Sequence, residues 1–334
     1  MATVDPLLLE TVNAVLADHC EPESLGAAEG GYDTKLWAAL ENSGLHAVGV
    51  AESAGGSGGT LHDAAAIAKA AGNFAAPVPI TELSLMAGYA VESAGLSLPA
   101  GPVAVVIAGH EARVAWAPVA KNLVVVTPAG VSVRPASQGV GTTGRNYAGE
   151  PWATVELGTA AASPGATPAQ VWARGALGRS LLMAGALGRA VDLSIQYANE
   201  RVQFGRAIGK FQILQHYLAE IAGEAAGAEA AADNAVDVIA SGAPDDEVIQ
   251  IIAAAKAVNG RAAGTICRLA HQLHGAIGYT DEHRLHYTTR RLWSWRDEYG
   301  TEAEWAAVLG ASLIRAGGAA LWPTLTRWPP AAAG

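Results

Sequence analysis

The chain is 334 residues long, 51% hydrophobic and 16% charged, long enough for two domains or one large domain with a subdomain and too apolar to be largely disordered. Lys and Arg number 21 against 31 Asp and Glu, a net charge of −10, opposite in sign to the basic footprint of a nucleic-acid binder or of a protein held on an anionic membrane. Two cysteines, Cys20 and Cys267, lie far apart, which excludes a disulfide framework and a paired-cysteine metal site and fits a reducing cytoplasm.

At the N-terminus, Asp5, Glu10 and Asp18 stand where a signal peptide needs a basic start and an unbroken apolar run. No 18-residue stretch is apolar enough for a membrane span, so a cytoplasmic protein is expected. Residues 5–19, 33–43, 61–74 and 81–94 read as short helices between Gly- and Pro-rich turns, a helical N-terminal domain over 1–100. From Pro102 the pattern changes to β-type runs at 103–108, 112–117, 122–127, 131–135 and 153–157, a small β domain over 101–160. Residues 161–169 read as a linker.

The remainder, 161–334, reads as a four-helix bundle. One helix runs from about 168 to 202; a second carries Phe211, Leu214, Leu218, Ile221 and Ala225 at helical spacing. A third carries Val248, Ile252, Ala255, Val258 and Ala262 behind the acidic start Asp245-Asp246-Glu247. The fourth begins at Thr301, with capping-box spacing to Glu304. The Trp- and Pro-rich end, 321–334, reads as an irregular tail. The fold class is mainly α with a small β domain. The high apolar share has two readings: surface buried between subunits, or a count raised by Ala and by 39 Gly.

Several motifs carry no chemistry. Gly139 to Gly144 spells GxGxxG, but a dinucleotide fingerprint must open a helix and Arg145 to Pro151 cannot, so a hairpin loop is expected. The run Ala54 to Gly59 lacks the Lys-Ser/Thr of a P-loop and reads as a turn before a helix. His271, His274, His283 and His286 form two HxxH pairs, yet di-iron bundles use Glu-x-x-His, which this chain lacks; no metal is expected. No GxSxG elbow is present.

Two segments say more. Glu200 to Gln212 (ERVQFGRAIGKFQ) joins two helices through Gly205 and Gly209 and ends the first at Arg201, a residue able to pair with phosphate. Gln272 to His283 (QLHGAIGYTDEH) closes the third helix with glycines that permit close backbone approach to a flat ligand or a diphosphate.

Together, in this order and spacing, they resemble the acyl-CoA dehydrogenase family: the segment at 36–59 matches its N-terminal helices, 200–215 its ERxxFGxxIGxFQxxQ signature and 272–283 its QxxGGxGYxxEH signature. The resemblance covers nearly the whole chain. It implies an FAD-dependent oxidoreductase that converts an acyl-CoA to the 2,3-enoyl product and passes electrons to an electron-transfer flavoprotein. It also implies helical, β and helical-bundle domains, the β domain being truncated here.

The chain departs from the family at its chemistry. Removing the α-proton of a thioester requires a carboxylate facing the flavin, and the family's Tyr-Glu-Gly-Thr tetrad falls on Glu298-Tyr299-Gly300-Thr301. Tyr299 then stands where the base should be, and the alternative base position on the first bundle helix falls on Gly175 or Gly178. Glu298, beside Asp297, is the fallback. A TEPGSGSD-like flavin segment is also missing. By contrast, the residues that in family dimers reach the neighbour's FAD are present: Arg201, Phe204, Gln212, Gln272 and Gly275, with Ala276 for the second glycine. The chain therefore resembles the shortened subunit of heterotetrameric acyl-CoA dehydrogenases of actinobacterial steroid catabolism, two copies of each subunit, completing the FAD site of a catalytic partner. Two other readings are a homomeric dehydrogenase using Glu298 and a non-enzymatic scaffold on the same frame.

Overall fold

The computed structural model describes residues 4–158 and 161–326. The N-terminal helices start where the sequence offers their orphan N–H groups an acceptor. Asp5 caps α1 (Pro6–His19) and Asp33 caps α3 (Thr34–Asn42), with the short α2 (Pro22–Ala27) between them. Thr60 and Asp63 form a capping box on α4 (Leu61–Asn73), so the glycine run before it is the expected turn. The helix expected from residue 81 opens as a π-helical turn, Glu82–Ala87, and continues as α5 (Gly88–Ser93).

The β region holds two three-stranded sheets. In one, β1 (Val103–Ile107) pairs parallel with β3 (Asn122–Thr127), which pairs antiparallel with β4 (Gly130–Pro135). In the other, β6 (Pro151–Val155) lies between β2 (Val114–Ala115) and β5 (Val140–Arg145). Alternation sorts the faces: Ala104, Val106, Leu123 and Val125 join Val114 and Val155 in one cluster, while Val103, Val105, Val124 and Val126 enter the main core shared with the helices.

Three β-region expectations are corrected. The 112–117 run forms a strand only at Val114–Ala115. Residues 140–144, expected in a hairpin loop, belong to β5, whose largely exposed, glycine-rich sequence has no apolar alternation to read. The linker is tied down, since Ser163 pairs with Val131 through two backbone hydrogen bonds of 2.8 Å.

The bundle begins with α6 (Pro168–Glu200), opened by a Thr167–Gln170 capping box, and continues with α7 (Gln212–Ala240) and α8 (Asp245–His274). α4 crosses α6 at glycines: a Cβ on Gly72 would lie 1.9 Å from the Leu182 carbonyl oxygen, and one on Gly185 the same distance from that of Lys69. The two backbones touch, which seats the N-terminal helices on the bundle. α9 (Leu285–Asp297), which apolar periodicity does not reveal, packs on both α6 and α8. The helix from Thr301, α10 (Glu302–Ala316), is capped as expected and lies on α8, with Trp305 its buried residue. Of the tail expected to be irregular, residues up to 326 are helical in α11 (Gly318–Thr326), and 327–334 lie outside the described residues. No described helix is long and apolar enough to cross a membrane.

Candidate functional site

α9 links two contrasting places. Its 13 residues separate them by about 20 Å at 1.5 Å per residue.

At its C-terminal end, a cleft of about 530 Å³ opens between α6, α9 and the β5–β6 hairpin, lined by His110, Asn146, Trp152, Trp172, Asp297, Glu298 and Tyr299 among others. Behind it lies a buried ion network. The Arg179 side chain, 2% exposed, donates to Glu298 at 2.7 Å, to Glu82 at 2.5 Å and to Thr81 at 3.1 Å. Burial disfavours its charge, but the Glu82 and Glu298 carboxylates outweigh burial and hold the guanidinium well above its ordinary pKa. The other oxygen of Glu298 accepts from Asn146 at 2.8 Å. Both oxygens of the fallback base are thus committed within the chain. Asp297 sits exposed on the rim.

Tyr299 occupies the space beside this network. Its φ is +53° and that of Gly300 is +92°, a left-handed turn that costs a residue with a side chain about 1–2 kcal/mol. Lys256, buried in α8, pins the turn by donating to the carbonyls of Trp295, Arg296 and Gly300 at 3.1, 2.7 and 2.8 Å. Burial pushes this lysine down to about 7 against the opposing pull of Glu298. The Tyr299 ring lies on Gly175, where a Cβ would come within 2.4 Å of it, and a Cβ on Gly178 would meet Thr81 at 2.9 Å. Both alternative base positions are therefore without room, and the space at Gly175 is filled by the Tyr299 ring. Burial, reinforced by Glu82, raises the Tyr299 pKa and keeps the phenol protonated.

At the N-terminal end of α9 the two signature segments meet. Arg201 caps α6, its N–H bonded to the Tyr197 carbonyl at 2.9 Å. Phe204 and Gly205, at φ +52° and +79°, form the two-residue turn between β7 (Val202–Gln203) and β8 (Arg206–Ala207). Gln212 opens α7, Gln272 lies in the last turn of α8, and Gly275 and Ala276 begin the 3-10 turn Gly275–Tyr279. Ile208 and Leu273 share a small core, and the Tyr197 ring stacks on His274 at 4.6 Å. All six sequence-predicted residues are exposed, Phe204 by 90%. Arg201 has no side-chain partner among the described residues. Gly275, at φ +63°, has no atom within 4 Å of a Cβ position. An uncommitted cation and an open backbone fit a diphosphate arriving from outside the chain.

Sequence reasoning did not find Glu82, Glu150, Arg179, Lys256 or Arg291, all buried. Glu150 accepts from Trp295 at 3.0 Å and Asn146 at 2.8 Å and stands 3.4 Å from Arg291. Burial raises its pKa and Arg291 opposes the rise. The available signal was α9 itself, LHYTTRRLWSWRD, a charged and aromatic run without a polar face.

Comparison with known proteins gives a consistent relationship. Models of the acyl-CoA dehydrogenase N-terminal and C-terminal domains match residues 5–96 and 171–303. Acyl-CoA dehydrogenase IpdE2 of Mycolicibacterium smegmatis is 31% identical over 296 residues, 85% of this chain and 91% of that protein. The ChsE4-ChsE5 complex from Mycobacterium tuberculosis contains a chain that superposes with a TM-score of 0.80 at 23% identity, covering 94% of this chain and 99% of that one. A variant of the Tcur3481-Tcur3483 steroid ACAD gives 0.79 at 23%, covering 93% and 98%.

Proposed function

The chain belongs to the acyl-CoA dehydrogenase family, FAD-dependent oxidoreductases, and from that premise we propose that it is the non-basic subunit of a heteromeric enzyme that completes the FAD site of a catalytic partner. The observation that carries this reading is the opposition of the two ends of α9. At one, the base position holds a half-buried phenol packed on Gly175 and the neighbouring Glu298 is paired to Arg179 and Asn146. At the other, six residues suited to a dinucleotide face outward without it.

FAD, when bound, accepts the β-hydride of the acyl thioester. This chain's residues bind and orient: Arg201 supplies a charge-assisted contact to the diphosphate, Gln212 and Gln272 supply hydrogen bonds, and Gly275 and Ala276 offer backbone without bulk. Phe204 adds an apolar ring held in a strained conformation, which suits a functional position. The partner's glutamate removes the α-proton. The substrate class is a steroid-derived acyl-CoA, which the steroid ACAD named among the structural neighbours supports, and the electrons pass to an electron-transfer flavoprotein. The assembly is a cytoplasmic heterotetramer, supported by the exposed apolar surface of Val202, Phe204, Ile213 and Tyr279 beside the binding residues.

Co-purification with an equimolar, flavin-bearing subunit tests the assembly. In that complex, Glu298→Gln and Tyr299→Phe should each leave kcat within about tenfold, ~1.4 kcal/mol of barrier. A fall of about 10²–10⁴-fold in Glu298→Gln, as for loss of a general base, with flavin content and assembly intact, overturns the reading in favour of a homomeric enzyme.

A further inference from the structure

A narrow cleft lies where the C-terminal end of α4 and the middle of α6 meet the start of α9, lined by Asn73, Phe74, Arg189, Arg284, Tyr287 and Thr288 among others. Its polar side chains are donors, and most have nothing to donate to. The half-buried Arg189 guanidinium makes no hydrogen bond or ion pair among the described residues. Neither do the Asn73 amide, the Tyr287 phenol and the Thr288 hydroxyl, although Tyr287 and Thr288 are only 7% and 2% exposed. Arg284 donates to the Cys20 carbonyl and stands 3.3 Å from the exposed Glu21 carboxylate.

Two guanidinium groups therefore share the cleft, and Glu21 neutralises one of them. Burial, then the Arg284 charge, lowers the Arg189 pKa, with the exposed Asp192 and Glu21 opposing. The carbonyls of Ala70, Gly72 and Ala71 at the end of α4 are already bonded to the amides of Phe74, Ala75 and Ala76 at 3.1, 3.1 and 2.9 Å. The first turn of α9, the positive end of its dipole, forms another wall. Like charges held together away from bulk water repel, and buried donors without an acceptor are uncommon. One negatively charged acceptor satisfies both. The cleft offers about 10 Å³, room for a single particle of roughly water size, so a phosphate or a carboxylate is too large.

We propose that this cleft binds one monatomic anion, chloride, held by Arg189 and Arg284 and by the donors of Asn73, Tyr287 and Thr288. The ion ties α6 to the start of α9 and to the end of α4. The site stands apart from the proposed FAD contacts, and none of its residues is among them.

Thermal unfolding of the protein as purified, with any partner it carries, in sodium chloride and in sodium gluconate of equal ionic strength tests this. Screening is then the same, and an anion that binds only the folded chain raises the midpoint. On passing from gluconate to chloride, the wild-type midpoint should gain about 2–4 °C over that of Arg189→Gln, which removes the charge and keeps a donor. An equal change in both proteins overturns the proposal. Crystals of the wild-type protein grown in bromide decide it without a variant. An anomalous bromide peak against Arg189 and Arg284 supports the site, and no peak there overturns it.

Discussion

The two ends of α9 differ in where their polar groups find partners. At the C-terminal end, Arg179, Glu82, Glu298 and Asn146 satisfy one another inside one chain, and Lys256 is satisfied by backbone carbonyls. At the N-terminal end, among the described residues, the Arg201 side chain is unpaired and His271 Nδ1 and His286 Nε2 have no hydrogen-bond partner. The first arrangement behaves as core, since burying these charges is tolerable only when they are paired. The second leaves polar groups at the surface. On the proposed function, a family site is divided within one chain, its catalytic corner converted to structure and its partner-facing corner kept open.

The comparison is broken most forcefully at Arg179. Arg179→Met leaves Glu82 and Glu298 without their cation and should destabilise the fold by about 3–5 kcal/mol, read from the denaturant midpoint. A loss under about 1 kcal/mol would mean the triad does not hold that end together.

Arg201→Ala should do the opposite, leaving stability unchanged while weakening flavin retention in the assembled complex by about 1.5–3 kcal/mol, roughly 10- to 150-fold. Flavin affinity equal to wild type would remove Arg201 from the site.

Acid should act on the open end. Burial, with His274 and His286 beside it, pushes His283 down to about 4 from the ordinary histidine value near 6.5. Between those values the unfolded chain binds the proton and the folded chain does not, so stability rises with pH through this window and is lost as pH falls, by up to about 1.4 kcal/mol per unit. His283→Asn should flatten the slope of stability measured between pH 6.5 and 4; an unaltered slope places the titration elsewhere. The smallest effect belongs to Gln272→Ala, whose neutral hydrogen bond is worth ~1 kcal/mol. Flavin off-rates equal to wild type would show that the amide does not touch the ligand.

The sequence by itself determined the long bundle helices, because their apolar stripes recur at helical period and Asp245 and Thr301 mark two of their starts. It also singled out the segments 200–212 and 272–283, whose exposed residues the structure brings to one end of α9, because each is a short contiguous motif. It did not reveal α9, a helix that buries His286, Thr288, Thr289 and Arg291, or β5, whose face is largely exposed. Only the tertiary structure decided the closed half. Arg179 is 119 residues from Glu298 and 97 from Glu82, and the glycine at 175 takes its meaning from the Tyr299 ring lying on it. Local pattern encodes which residues could be buried; which charge neutralises which, and which space is already filled, arises only when distant segments are brought into contact.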